Sequence, residues 1–139
     1  MTDFAAVDQS ITRRLQASLE DLRRLVALPS VSAEGTSMPE CATLVAELLS
    51  KRGFQARLVP SAGFPVVFAE RPGTRRDRTL LFYNHYDVQP SGPPELWESP
   101  AFELTVRNER AFGRGAVDDK GHIISRLAAL DALLETDGD

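Results

Sequence analysis

Apolar residues recur through residues 8 to 28 at helical spacing. Ile11, Leu15, Leu19, Leu22 and Val26 form one stripe of a 3.6-residue period, with Arg13, Arg14, Glu20, Asp21, Arg23 and Arg24 between them as the wet face. Pro29 ends this helix, because the residue before a proline is pushed out of helical geometry. Residues 38 to 52 repeat the pattern with Cys41, Leu44, Val45, Leu48 and Leu49 as the buried face. Ser37 is a suitable cap, Pro39 suits the first turn, and Lys51, Arg52 and Gly53 suit the far end.

The period then changes. Phe54 to Val59 alternates apolar and polar residues and predicts a strand, Pro60 to Gly63 a turn, and Pro65 to Ala69 a second strand. Arg71 to Arg78 reads as a solvated loop; its arginines 71, 75, 76 and 78 are interrupted by Asp77 and carry no interleaved aromatics. The apolar run from Thr79 to Tyr83 predicts a central strand buried on both faces. Residues 89 to 100 hold four prolines and predict an irregular loop. Phe102–Val106 and Arg110–Phe112 predict a hairpin, and Lys120 to Glu135 a last helix, with Ile123, Leu127, Leu130 and Leu134 as its stripe and Asp119 placed to cap it. Helices interleaved with buried strands imply an α/β fold, a three-layer sandwich around a central mixed, mostly parallel sheet.

Composition narrows the function. The chain has 139 residues, the length of one domain or part of one. A net charge of −4 without a clustered basic face argues against a nucleic-acid partner. The single cysteine, Cys41, sits on an apolar helical face and reads as a buried structural thiol. The acidic residues near the N-terminus exclude a signal peptide there, and no apolar run reaches the length of a membrane span, so a soluble cytoplasmic protein is expected.

Two stretches carry candidate chemistry. His85 and Asp87 follow the apolar run, at the strand end where ligands bind in open α/β sheets. Residues two apart on an extended segment point to one side, about 6.6 Å apart at ~3.3 Å per residue. His85 can then ligate a metal while Asp87 fixes its tautomer. A lone histidine is more often a surface or satisfied core residue, and that alternative stands for His85 taken alone. Asp118 and Asp119 are adjacent acids framed by Gly113, Gly115 and Gly121. They form either a solvated turn and helix cap or, for Asp118, a carboxylate able to bridge two cations ~3.5–4 Å apart.

Three segments taken together carry a family resemblance: Asn84-His85-Tyr86-Asp87-Val88-Gln89-Pro90, the loop with Trp97 and Ser99-Pro100-Ala101-Phe102, and Gly113-Arg114-Gly115-Ala116-Val117-Asp118-Asp119-Lys120-Gly121. The chain resembles the M20 family of metallopeptidases, most closely its carnosine-dipeptidase-like and Xaa-His-dipeptidase-like branch. The resemblance extends weakly to the first helix and Leu28-Pro29-Ser30-Val31-Ser32. It implies a zinc-exopeptidase-like catalytic domain that hydrolyses dipeptides or short peptides at a two-zinc site, with Mn2+ or Co2+ as alternatives, in a homodimeric parent protein. N-acyl amino acid deacylases of the same family, and a non-catalytic module, are the competing readings.

Residue by residue, the resemblance implies that His85 ligates one zinc, that Asp87 orients His85 and is catalytic, and that Asp118 bridges both metals. It further implies a cis peptide between Asp118 and Asp119. Asn84 stands where glycine is usual and His122 where proline is common, and neither has an assigned role. The family's general base, the first of two adjacent glutamates, and its remaining ligands find no match here. Residues 1–139 are therefore expected to be the N-terminal part of the catalytic domain, without the lid or dimerisation domain or the C-terminal part of the catalytic domain. Alone, the chain is expected to bind metal weakly, to lack catalysis and to self-associate.

Overall fold

The structure is a computed structural model that describes residues 3–75 and 77–137. Arg76 of the basic loop and the terminal residues Gly138 and Asp139 lie outside the described residues. Helix α1 spans Phe4–Val26. It begins four residues before the predicted start at residue 8, because the Asp3 carboxylate accepts from the amides of Ala5 and Ala6. Helix α2 spans Met38–Ser50, and helix α3 spans Lys120–Asp137.

Helices α1 and α3 run antiparallel, with Ser10, Arg13 and Arg14 meeting Glu135 at one end and the Leu25 carbonyl meeting Lys120 at the other. The buried face of α1 differs from the predicted stripe: Val7, Ser10, Leu22, Leu25 and Val26 are covered, whereas Ile11 and Leu15 are exposed. The N-terminal half of α1 has α3 as its neighbour, so only the narrow face toward α3 is sheltered. Below it, Leu22, Leu25 and Val26 join Cys41, Leu44, Val45, Leu48, Leu104, Ile123, Ile124 and Leu127 in one core. Arg52 ties the three helices from the side, 2.9 Å from Asp131 and 3.2 Å from Asp21.

Ser37 occupies the cap position of α2, but its backbone is left-handed at φ 50° and its side chain makes no capping bond. Gly53, at φ 81°, closes the other end, with its amide on the Ser50 carbonyl and the Phe54 amide on Leu49. Strands β1 (Gln55–Val59) and β2 (Val66–Glu70) pair antiparallel, as do the short strands β3 (Thr105–Arg107) and β4 (Arg110–Phe112). The second hairpin turns on Asn108 and Glu109, both at positive φ, the geometry that matches the right-handed twist of its strands.

The predicted central strand does not form. Residues 80–83 make no ladder, and Leu80, Leu81, Phe82 and Tyr83 are 78%, 84%, 53% and 85% exposed. A strand buried on both faces needs a pairing partner on each edge and a layer on each side. Here the β1–β2 hairpin pairs only with itself, and an apolar hollow of about 590 Å³ opens among β2, α2, α3 and residues 80–87. Among the described residues the only parallel contact is the isolated bridge Val31–Val88. The unit is α/β, with two antiparallel hairpins in place of the expected mostly parallel central sheet.

Candidate metal centre

The segment carrying His85 is held by the loop that follows α1. The Ser30 hydroxyl donates to the Tyr86 carbonyl at 2.6 Å, and the Val88 amide donates to the Ser30 carbonyl at 2.8 Å. The Tyr86 hydroxyl reaches the Pro65 carbonyl at 2.6 Å, anchoring the segment to the start of β2. Cys41 is a buried free thiol whose sulfur lies 3.7 Å from the Tyr86 carbonyl, and burial pushes its pKa up, so it is inert packing.

The opposing turn depends on two glycines. Gly115 has φ 84°, and a Cβ there would lie 2.8 Å from the Val88 side chain. At Gly121 a Cβ would come within 1.9 Å of the Ala116 carbonyl oxygen. Only glycine lets the turn lie this close to the segment carrying His85 and to the start of α3. The Asp118–Asp119 peptide is cis. Arg114 stacks over the Trp97 ring, and the Trp97 indole donates to the Ser91 carbonyl, so the proline-rich loop is pinned against the same turn.

These two segments bring His85, Asp87, Asp118 and Asp119 together. His85 Nδ1 lies 3.1 Å from both the carbonyl and the Oδ1 carboxylate oxygen of Asp87. Both partners are acceptors, so Nδ1 carries the proton and donates. Nε2, on the open side, lies 3.0 Å from Asp118 Oδ1, which also only accepts, so this nitrogen donates too, and a cation taken up there would replace its proton. The His85 side chain is 42% exposed and that of Asp118 80% exposed, so the pair faces solvent. Burial pulls the His85 pKa down, but the Asp87 carbonyl and the carboxylates of Asp118, Asp119 and Asp87 outweigh it, and the net shift is upward.

Asp119 does not cap α3 with its side chain. Its carbonyl accepts the amides of His122 and Ile123, while its carboxylate turns back to Asn84, the His85 amide and His122. Burial would raise its pKa, but these three partners hold it below the usual carboxylate range. Lys120, fully buried, sends its ammonium to the Leu25 carbonyl at 2.9 Å and the Leu28 carbonyl at 2.7 Å, and burial lowers its pKa. The site therefore rests on the end of α1, whose last carbonyls attract a cation.

Sequence reasoning did not assign Ser32, Asn84, Lys120 or His122. Ser32 donates to Asp87 Oδ2 at 2.6 Å. Of the four, Lys120 left the clearest signal, a lysine beside a glycine-framed turn with no polar face to occupy. Ser32 and Asn84 act across tertiary contacts that no local pattern marks, whereas His122 meets Asp119 three positions before it, a spacing that could have signalled the pair.

An imidazole nitrogen and a carboxylate oxygen are the donor types that zinc takes. Two ligands ~2.0–2.2 Å from a tetrahedral ion stand roughly 3.3–3.6 Å apart, close to the observed separation. Zinc takes about four ligands, and among the described residues no three His, Cys, Asp or Glu side chains form a metal-holding group. His85 and Asp118 thus fit two positions of such a shell. No helix among the described residues is long and apolar enough to cross a membrane.

Comparison with known proteins gives the lineage. Residues 81–139 match the model of peptidase family M20/M25/M40. The succinyl-diaminopimelate desuccinylase of Halorhodospira halophila is 40% identical over 120 residues, covering 86% of this chain and 30% of that enzyme. The Cys-Gly metallodipeptidase dug1 of Schizosaccharomyces pombe is 37% identical over 130 residues, covering 82% of this chain and 27% of its own length. The crystal structure of human carnosine dipeptidase 1 superposes with a TM-score of 0.87 at 27% identity, over 97% of this chain and 32% of that one. The chain spans about 30% of the length of the curated relatives it matches. Residues 81–139 belong to peptidase family M20/M25/M40, and the chain that carries them is a relative of its hydrolases.

Proposed function

We propose that this chain supplies part of the metal-binding centre of an amide hydrolase that cleaves dipeptides or short peptides. In this reading His85 and Asp118 would hold zinc or a similar divalent cation, Asp118 would be shared with a second ion, and Asp87 would orient His85. Residues 1–139 form one portion of the catalytic domain, and the general base and remaining ligands come from residues outside it. The carrying observation is the placement of His85 Nε2 3.0 Å from Asp118 Oδ1, with Nδ1 committed to Asp87. A bound metal supplies a Lewis acid for the amide carbonyl and an activated water. The chain's own residues aim the imidazole, hold its proton on Nδ1 and keep the Asp118 carboxylate toward solvent.

The dipeptidase reading is supported by the likeness to dug1 and to human carnosine dipeptidase 1. A second reading, removal of an acyl group from a diamino acid, is supported by the 40% identity to the desuccinylase. Both substrates present an amide carbonyl, so the same ligands serve either.

Zinc titration by calorimetry tests the centre. The wild-type chain takes up zinc weakly, and His85→Ala and Asp118→Ala each abolish the uptake; equal uptake in Asp118→Ala overturns the assignment. In a longer protein carrying a general base and full metal shell, turnover of Cys-Gly against an N-succinyl diamino acid decides between the two substrates.

A further inference from the structure

The Asp119 side chain is sheltered, with 12% of its surface exposed, and neither of its oxygens accepts a backbone amide of the helix it precedes. Oxygen Oδ2 accepts from Asn84 Nδ2 at 2.7 Å and from the His85 amide at 3.0 Å. Oxygen Oδ1 faces His122 Nδ1 at 2.6 Å. A carboxylate only accepts, so His122 Nδ1 carries the proton and donates. With Oδ1 held from the first turn of α3, the carboxylate is kept from rotating, and Oδ2 stays aimed at the Asn84 side-chain amide and the His85 main-chain amide.

The consequence lies one residue away on each side. His85 follows Asn84, and Asp118 precedes Asp119. A bond between Asp119 and the His85 amide therefore fixes the two main chains from which the His85 imidazole and the Asp118 carboxylate project. We propose that Asn84 and His122 are positioning residues that lock Asp119 against the His85 backbone and so set the spacing of His85 and Asp118. This role rests on the proposed metal centre for its purpose, while its geometry stands independently. Residues that orient ligands in this way typically change metal affinity by ~10–100-fold when removed.

The test is amide hydrogen exchange by NMR on the whole 139-residue chain, with zinc affinity measured on the same samples. His122→Ala and Asn84→Ala should each speed exchange of the His85 amide about fivefold, as loss of support for one hydrogen bond would. The Leu48 amide serves as the folding reference and should not change. His122→Asn places an amide donor where Nδ1 stood and should restore the wild-type rate. Zinc affinity should fall about tenfold in each alanine variant. Unchanged His85 exchange in both alanine variants, with Leu48 protected, overturns the proposal even if zinc binds. Faster His85 exchange in a chain that binds no zinc supports the lock and overturns the metal reading instead.

Discussion

The Ser32 hydroxyl donates to Asp87 Oδ2 at 2.6 Å, joining residues 55 positions apart in the chain. The other oxygen of Asp87 holds His85 Nδ1 at 3.1 Å. One carboxylate thus transmits the position of the loop after α1 to the imidazole. Ser32→Ala leaves Asp87 free to turn and should weaken zinc binding about tenfold, with folding intact. Ser32→Thr keeps the hydroxyl and should bind as wild type. Calorimetric titration of the three proteins checks this, and equal affinities would show that Asp87 needs no support from Ser32.

Lys120→Met should destabilise the fold by about 1–3 kcal/mol, because the carbonyls of Leu25 and Leu28 lose a buried charged donor and keep only backbone amides, those of Leu28 and Ser30. Methionine nearly matches the volume of lysine without its terminal ammonium, so the loss is polar rather than one of packing. Urea unfolding followed by circular dichroism reads the change as a lower midpoint at constant slope.

Glu135 gives the fold a pH dependence. Bonds from the Ser10 hydroxyl, then from Arg14 and Arg13, hold its pKa down to about 2. A carboxylate with a depressed folded pKa contributes stability above its unfolded value, and that contribution is lost as pH falls through the folded value. The clamp between α1 and α3 should therefore act fully above about pH 4.5 and fade toward about pH 2. Glu135→Gln should unfold at lower urea than wild type at pH 7. The gap between the two should close as the pH is lowered through this window. A gap that persists at the acid end would assign the effect to packing.

The exposed run Leu80-Leu81-Phe82-Tyr83 should make the isolated chain self-associate, since it is extended, apolar and without a ladder partner. Light scattering on the wild type and on Leu81→Lys checks this. The wild type should exceed monomer mass, and the lysine variant should move toward it; a monomeric wild type contradicts the expectation.

The sequence made the helices legible because a 3.6-residue stripe needs only a single neighbour to cover it. Helix α2 matches its expected buried face nearly residue by residue, with Leu49 partly covered at the edge. Ile11 and Leu15 failed because a stripe records what is available for burial and not what a partner covers. Residues 79–83 failed for a related reason: an apolar run states that burial would be favourable, while pairing depends on strands elsewhere. At the site, His85, Asp87 and Asp118 stood out through motif and spacing. Asn84 and Ser32 did not, because each acquires its meaning from a carboxylate brought to it by folding. His122 lay within reach of the same reading, since its partner Asp119 is only three positions before it.

The close approach of Gly121 to the Ala116 carbonyl bears on how a mutational scan of this chain would be interpreted. Every substitution at position 121 forces the backbone of the turn apart, because the obstacle is a main-chain oxygen that no rotamer change can move. Position 121 would therefore score as strictly as a reacting group while touching neither metal nor substrate. Abundance separates the cases: Gly121 variants should be lost from the folded pool, whereas Asp118 variants should fold and fail only in metal uptake.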